Sequence, residues 1–234
     1  MTSRYLYLVI DLFSFVLPLL ASFHKKAPFY KHWKYFGIAL AITAIVFIAW
    51  DELFTRFGIW GFRSQYVSGI SLGSLPLEEI LFFVCIPYAS VFTYFVLNHT
   101  IEKDILFPHQ ELISSLLIIT LLISGIYNVD KLYTSVTFLS LALFLAYQML
   151  KLRPRYMGRF YLAFGVLLVP LFIVNGLLTG SFIDEEVVWY DDHHTLGIRI
   201  GTIPIEDFFY GMLLILSNVA IMEWLEERAY YKKK

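Results

Sequence analysis

Apolar residues in this chain arrive in long blocks, at about 4–22, 34–53, 76–97, 111–127, 133–151, 159–179 and 204–225. Crossing the hydrocarbon layer as a helix takes about 20 largely apolar residues. A chain with several such blocks can bury them only in lipid or against one another. Hydrophobic residues make up 59% of the sequence and charged residues 16%, where a soluble domain carries roughly a quarter. Mean hydropathy is +0.68. The fold expected is all-α and integral to the membrane, with about seven transmembrane helices. The fourth block, Glu111 to Tyr127, is short, but its core Leu116–Leu122 is too apolar for a loop at membrane depth. Residues 5–20 imitate the apolar core of a signal peptide; Asp11 interrupts them and no Ala-x-Ala site follows, so they read as a retained helix. The single cysteine, Cys85, leaves no internal disulfide or cysteine-based metal cage and reads as a small core residue. A net charge of −1 gives no reason to expect nucleic acid as a partner.

Short-loop lysines and arginines set the expected orientation. The first loop carries Lys25, Lys26, Lys31 and Lys34, the fifth Lys151, Arg153, Arg155 and Arg159, and the tail Lys232, Lys233 and Lys234. Seven spans put all three on one side, the cytoplasm. The sixth loop is mainly acidic, with Asp184, Glu185, Glu186, Asp191 and Asp192. The expectation is a multi-pass protein with its N-terminus outside and its C-terminus inside.

The chain also repeats itself in register. Gly69-Ile70-Ser71-Leu72-Gly73-Ser74-Leu75-Pro76-Leu77-Glu78-Glu79 is matched by Gly197-Ile198-Arg199-Ile200-Gly201-Thr202-Ile203-Pro204-Ile205-Glu206-Asp207. Two glycines, the proline and the acid pair coincide at constant offset. Upstream, Asp51 to Thr55 resembles Asn175 to Thr179. Residues 1–110 and 131–234 then form two three-helix repeats, with 111–130 as a connector helix. Three spans reverse the side of the membrane, so one extra helix restores the phase and makes the repeats parallel. Both acid motifs are thereby expected on the outer side.

Proline suits a helix start, and acids after it complement the free N–H groups and the dipole. Helix capping alone accounts for one such motif. Two in register, beside apolar spans, point further. Adjacent carboxylates resist ionising together, so one member can serve as acid while another serves as base. Glu78, Glu79, Glu206 and Asp207 are the candidate catalytic residues. The face shared with Ser90 and Thr93 favours Glu79, that shared with Tyr210, Gly211 and Asn218 favours Asp207, while identity between copies favours Glu78 and Glu206. Asp51, Glu52 and Asn175 close their spans at the same level and are supporting candidates. Aromatic faces stabilise a cation in a dry pocket, which adds Trp50, Trp60, Phe82, Trp189 and Tyr210, each of which also suits plain packing. Asp191-Asp192-His193-His194 has ligand-type residues, but consecutive positions do not converge on one ion, so no metal is assigned. Nucleotide- and phosphate-binding glycine motifs are absent.

Two three-helix units, each opening its last helix with Pro-x-Glu-(Glu/Asp), resemble the heterodimer-type lycopene cyclases in their fused form. Pro76-Leu77-Glu78-Glu79 and Pro204-Ile205-Glu206-Asp207 fit that pattern without substitution, and the resemblance covers nearly the whole chain. It implies cyclisation of the open ends of lycopene or a related linear carotenoid to rings, β rings above all, giving γ- and β-carotene. It also implies membrane lipid and other carotenoid enzymes as neighbours, in a bacterial cell membrane. Ring closure is an isomerisation needing acid, base, dryness and cation stabilisation, so no cofactor is expected. The alternatives are a carotenoid- or retinoid-binding protein and a small transporter. A covalent retinal receptor needs a lysine in the last span, and 204–225 has none. Both acid motifs on one side predict one composite site from both halves.

Overall fold

The computed structural model describes residues 4–232. Among them are seven α-helices: α1 Leu6–Ala21, α2 Trp33–Arg56, α3 Leu77–Thr100, α4 Gln110–Tyr127, α5 Leu132–Tyr147, α6 Met157–Leu178 and α7 Ile205–Tyr231. Six of the helical stretches are long and apolar enough to cross a membrane; α1, with 16 residues, is shorter. At 1.5 Å per residue α1 spans about 24 Å, less than the ~30 Å hydrocarbon core. Large apolar side chains stand outward on the helices, among them Phe13, Ile45, Leu116, Val169 and Ile173, each more than half exposed. Such a face is stable against lipid and is an aggregation surface in water. The architecture is that of an all-α, multi-pass membrane protein.

Six short strands accompany the helices: β1 Trp60–Phe62, β2 Ser71–Leu72, β3 Leu75–Pro76, β4 Val188–Tyr190, β5 Arg199–Ile200 and β6 Ile203–Pro204. β2 with β3, and β5 with β6, form two-residue hairpins. Their turns need a positive φ, supplied at +66° by Gly73 and again at +66° by Gly201, where a glycine has no Cβ penalty. A side chain at Gly73 would also run into the Glu52 carboxyl. Each hairpin delivers the chain into a helix. Leu77 N–H donates to the Ile70 carbonyl (2.8 Å) and Ile205 N–H to that of Ile198 (2.9 Å), so the first helical N–H has a partner. Pro76 stands just outside α3 in extended conformation. Both prolines belong to hairpin strands, and the helices begin one residue later than the sequence suggests.

The residues gather into two compact units. One comprises Phe54–Arg63 and Lys103–Leu213: helices α4, α5 and α6, the first turns of α7, and the ladder of β1 with β4. That ladder is antiparallel and pairs Trp60 with Tyr190, Gly61 with Trp189 and Phe62 with Val188. The Ser114 and Tyr161 hydroxyls, 2.6 Å apart, tie α4 to α6. The other unit comprises 4–53, 64–102 and 214–232. Its helices α1 and α3 pack together through Tyr88, which meets Ser22 Oγ at 2.6 Å and accepts from Trp33 Nε1 at 3.0 Å. The later part of α7 joins it through Thr43–Asn218 (3.0 Å), Tyr94–Glu223 (2.7 Å) and His32–Glu226 (2.6 Å). Each unit therefore takes residues from both sequence repeats.

Candidate active site

The first acid motif lies in the unit containing α1 and α3. Glu78 and Glu79 are both buried in the first turn of α3, with different partners. Glu78 Oε1 accepts the backbone N–H of Ser68 at 2.7 Å, tying down the loop ahead of the hairpin. Glu79 Oε2 accepts from the Tyr7 hydroxyl at 2.5 Å, with the buried Asp51 carboxyl in the same unit. Tyr7 and Asp51 are each 1% exposed. Glu52, next to Asp51, instead accepts the Ser74 N–H at 2.9 Å and holds the hairpin turn. Phe82 meets the Tyr7 ring edge-on at 6.4 Å, and Trp50 stacks on Phe47 at 5.7 Å.

The second motif, in the other unit, repeats this division. Glu206 Oε1 accepts the N–H of Leu196 at 2.7 Å, the counterpart of the Ser68 bond, and the Thr134 hydroxyl at 2.5 Å. Asp207 accepts tyrosine hydroxyls on both oxygens: Tyr133 at 2.7 Å on Oδ1 and Tyr190 at 3.0 Å on Oδ2. Tyr133 stands on the first turn of α5 as Tyr7 stands on the first turn of α1. Around Asp207 the rings of Tyr133, Tyr190, Trp60 and Tyr210 form one cluster. Trp60 lies 5.0 Å from Tyr133 and 6.3 Å from both Tyr190 and Tyr210, and Tyr133 stacks on Tyr190 at 5.9 Å. Such a wall of π faces suits a transient cation beside a carboxylate.

Several candidates lie elsewhere. Trp189 covers the open face of Gly61 and is 36% exposed. Asn175 ends α6, its carbonyl accepting the Thr179 N–H at 2.8 Å. Here the helix end is fixed to the hairpin turn by Thr179 and Ser181, both 2.7 Å from the Thr202 hydroxyl, where the first copy uses Glu52. In the sixth loop, Asp191 accepts the His193 N–H and ring nitrogen at 3.0 and 2.8 Å, and Asp192 pairs with Arg199 at 2.7 Å. The His193 bonds hold the exposed Asp191 carboxyl below its usual range. Sequence reasoning missed Tyr7, Tyr133, Thr134 and Tyr190. Aligning α1 with α5, which places Leu6-Tyr7 over Leu132-Tyr133, would have revealed two of them.

Apolar helices with carboxyls buried beside tyrosine hydroxyls define a multi-pass membrane protein with a polar interior. The sequence profile of the lycopene cyclase family matches residues 4–97 and 130–225. The chain belongs to that family. It is 34% identical over 76 residues to a bifunctional lycopene cyclase/phytoene synthase of Pyrenophora tritici-repentis, covering 32% of this chain and 12% of that one. It is 33% identical over 89 residues to the C(50) beta-cyclic carotenoids biosynthesis protein LbtBC of Dietzia sp., covering 38% and 20%. The matches thus span a fifth or less of those relatives' lengths. No solved structure matches the chain.

Proposed function

We propose that this protein is a carotenoid cyclase that closes the linear ends of lycopene into β rings by proton-initiated isomerisation, giving γ- and then β-carotene. The observation that carries this reading is the pair of buried carboxyls, Glu79 and Asp207, each bonded by a tyrosine from the first helix of its own repeat. A proton adds to the terminal alkene, the resulting cation closes on a neighbouring double bond, and a proton leaves to restore an alkene. Proton gain and loss balance, and no electrons are transferred. The buried carboxyls Asp51 and Glu79 are the candidate acids. Asp207, with both oxygens occupied by hydroxyl donors, has the arrangement of an ionised acceptor, suited to taking up a proton. The rings of Trp60, Tyr133, Tyr190 and Tyr210 beside Asp207 suit a transient positive charge.

Each acid motif is expected to be needed for cyclisation, so Glu78→Gln/Glu79→Gln and Glu206→Gln/Asp207→Asn should each abolish it. A double variant that makes monocyclic product at the full rate refutes that joint role. The reaction itself is tested by expressing the chain, in deuterated water, in cells that accumulate lycopene. One deuterium per new ring is expected. Unchanged lycopene would instead point to a carotenoid binder or transporter, and unlabelled rings would reject the acid mechanism. The basic loops favour an outside N-terminus and a cytoplasmic C-terminus, which accessibility labelling of tagged ends would check.

A further inference from the structure

Asp11 stands four residues after Tyr7 on α1, on the same face of the helix. It is 0% exposed, and neither of its carboxyl oxygens has a hydrogen-bond partner. It lies close enough to Glu78, Glu79 and Cys85 to interact with each electrostatically. Four residues advance a helix by about 6 Å, so Asp11 sits that much further along α1 than Tyr7, which reaches Glu79. A buried acid without partners is costly, and an ionisable group kept buried among apolar helices is a functional candidate. The second repeat lacks it: the matching position of α5, four residues after Tyr133, is Thr137. That residue is also 0% exposed with an unpartnered hydroxyl, and a hydroxyl is no acid for an alkene. The supporting carboxyl differs likewise, Asp51 in the first copy against Asn175 in the second.

We propose that Asp11 is the carboxylic acid that delivers the proton to the substrate's terminal alkene, with Glu79, Asp51 and Tyr7 as the network that recharges it. This rests on the cyclase reading above. An alkene is a poor base and competes badly for a proton already held in a hydrogen bond. Glu79 is engaged by the Tyr7 hydroxyl, whereas neither oxygen of the Asp11 carboxyl has a partner. Asp11 O–H breaks as a C–H bond forms on the alkene; after ring closure a C–H bond breaks and its proton passes to the neighbouring carboxyls. The Asp11 carboxylate then recovers a proton through the neighbouring carboxyls, and the enzyme returns to its starting state.

The test compares wild type with Asp11→Asn, Asp11→Leu and Asp11→Glu in lycopene-containing membranes, measuring ringed product per inserted protein and thermal stability in detergent. Asp11→Asn and Asp11→Leu should lose at least about 100-fold in rate, the lower end of what a positioned general acid contributes. Their melting temperatures should equal or exceed that of wild type, because an unpartnered acid has been removed. Asp11→Glu should recover activity to within about tenfold of wild type. Wild-type rates in Asp11→Asn overturn the assignment, as does failure of both neutral variants to insert, since the carboxyl would then be structural. Wild type that forms no rings removes the cyclase reading itself, an outcome distinct from both.

Discussion

The Tyr133–Asp207 bond offers the sharpest test of how the site holds its charge. Tyr133 is 2% exposed and donates at 2.7 Å to one oxygen of Asp207, while the half-buried Tyr190 donates at 3.0 Å to the other. Tyr133→Phe deletes one oxygen atom and leaves the ring in its stack with Tyr190. A hydrogen bond to a charged group is worth about 1.5–3 kcal/mol, and an oxygen left bare in a buried site has no water to replace it. If Asp207 works as a carboxylate, the cyclisation rate should fall about 10- to 150-fold. Tyr190→Phe removes a longer bond on the wetter side, where about 0.5–1.5 kcal/mol is expected, or about 2- to 10-fold. The two donors act on one carboxylate, so the double variant should fall further than the product of the single effects. The assay is chromatographic separation of lycopene and ringed products from membranes over time, normalised to inserted protein. Tyr133→Phe within twofold of wild type, or a double variant that equals the product, would refute the reasoning.

Three further outcomes follow from bonds outside that pair. Glu206→Ala strands the Leu196 N–H and the Thr134 hydroxyl and should cost about 1–3 kcal/mol, a drop of about 2–4 °C per kcal/mol for a chain of this size. Glu206→Gln keeps an oxygen acceptor and should melt close to wild type; equal losses in both would show that the loop tie is unimportant. Thr43→Val removes the interhelical bond to Asn218 and should cost only about 0.6 kcal/mol, typical of such bonds in membranes, so a fall beyond about 5 °C contradicts it. In the sixth loop, partial burial opposes charge on Glu186, but the Arg63 bond and the charges of Arg63 and Arg199 outweigh it and hold the carboxyl below its ordinary 4.5. Its stabilisation is therefore complete above about pH 4.5 and is lost as pH falls through the lower folded value. An acid melt of wild type against Glu186→Gln should differ by under about 1 kcal/mol, and only above that range.

The helices were legible because a membrane span needs unbroken apolar length, and blocks such as 159–179 offer no other use for it. The strands were not. Two- and three-residue segments carry no periodic signal, and the partner of β1 lies far along the chain. The same blindness shaped the reading of the site. Trp189 stood out as a large aromatic, but side chains alternate across a strand, so its neighbour Tyr190 is the one that turns to Asp207. Tyr7 and Tyr133 each stand one residue into a helix; only the three-dimensional path from α1 to α3, and from α5 to α7, reveals their acceptors. The acid motifs could be found by spacing, yet spacing could not separate Glu78 and Glu206, which bind backbone N–H groups, from Glu79 and Asp207, which bind phenols. Identity between copies, which had favoured the former, reflects the loop they hold in each repeat.

The β1–β4 ladder has a symmetry that bears on ancestry. Gly61 and Trp189 occupy equivalent positions in the two repeats and face one another, so a local two-fold axis runs between them. Self-pairing of one strand across an axis is how two identical subunits make an isologous contact. The ladder has the form of such a contact, made here within one chain. Its axial pair is unlike: the Trp189 indole occupies the space that any side chain at Gly61 would need. Two first repeats would leave a gap at the seam, and two second repeats would set tryptophan against tryptophan. Neither half can now stand in for its sibling, so the duplication is locked as a pair of unlike parts.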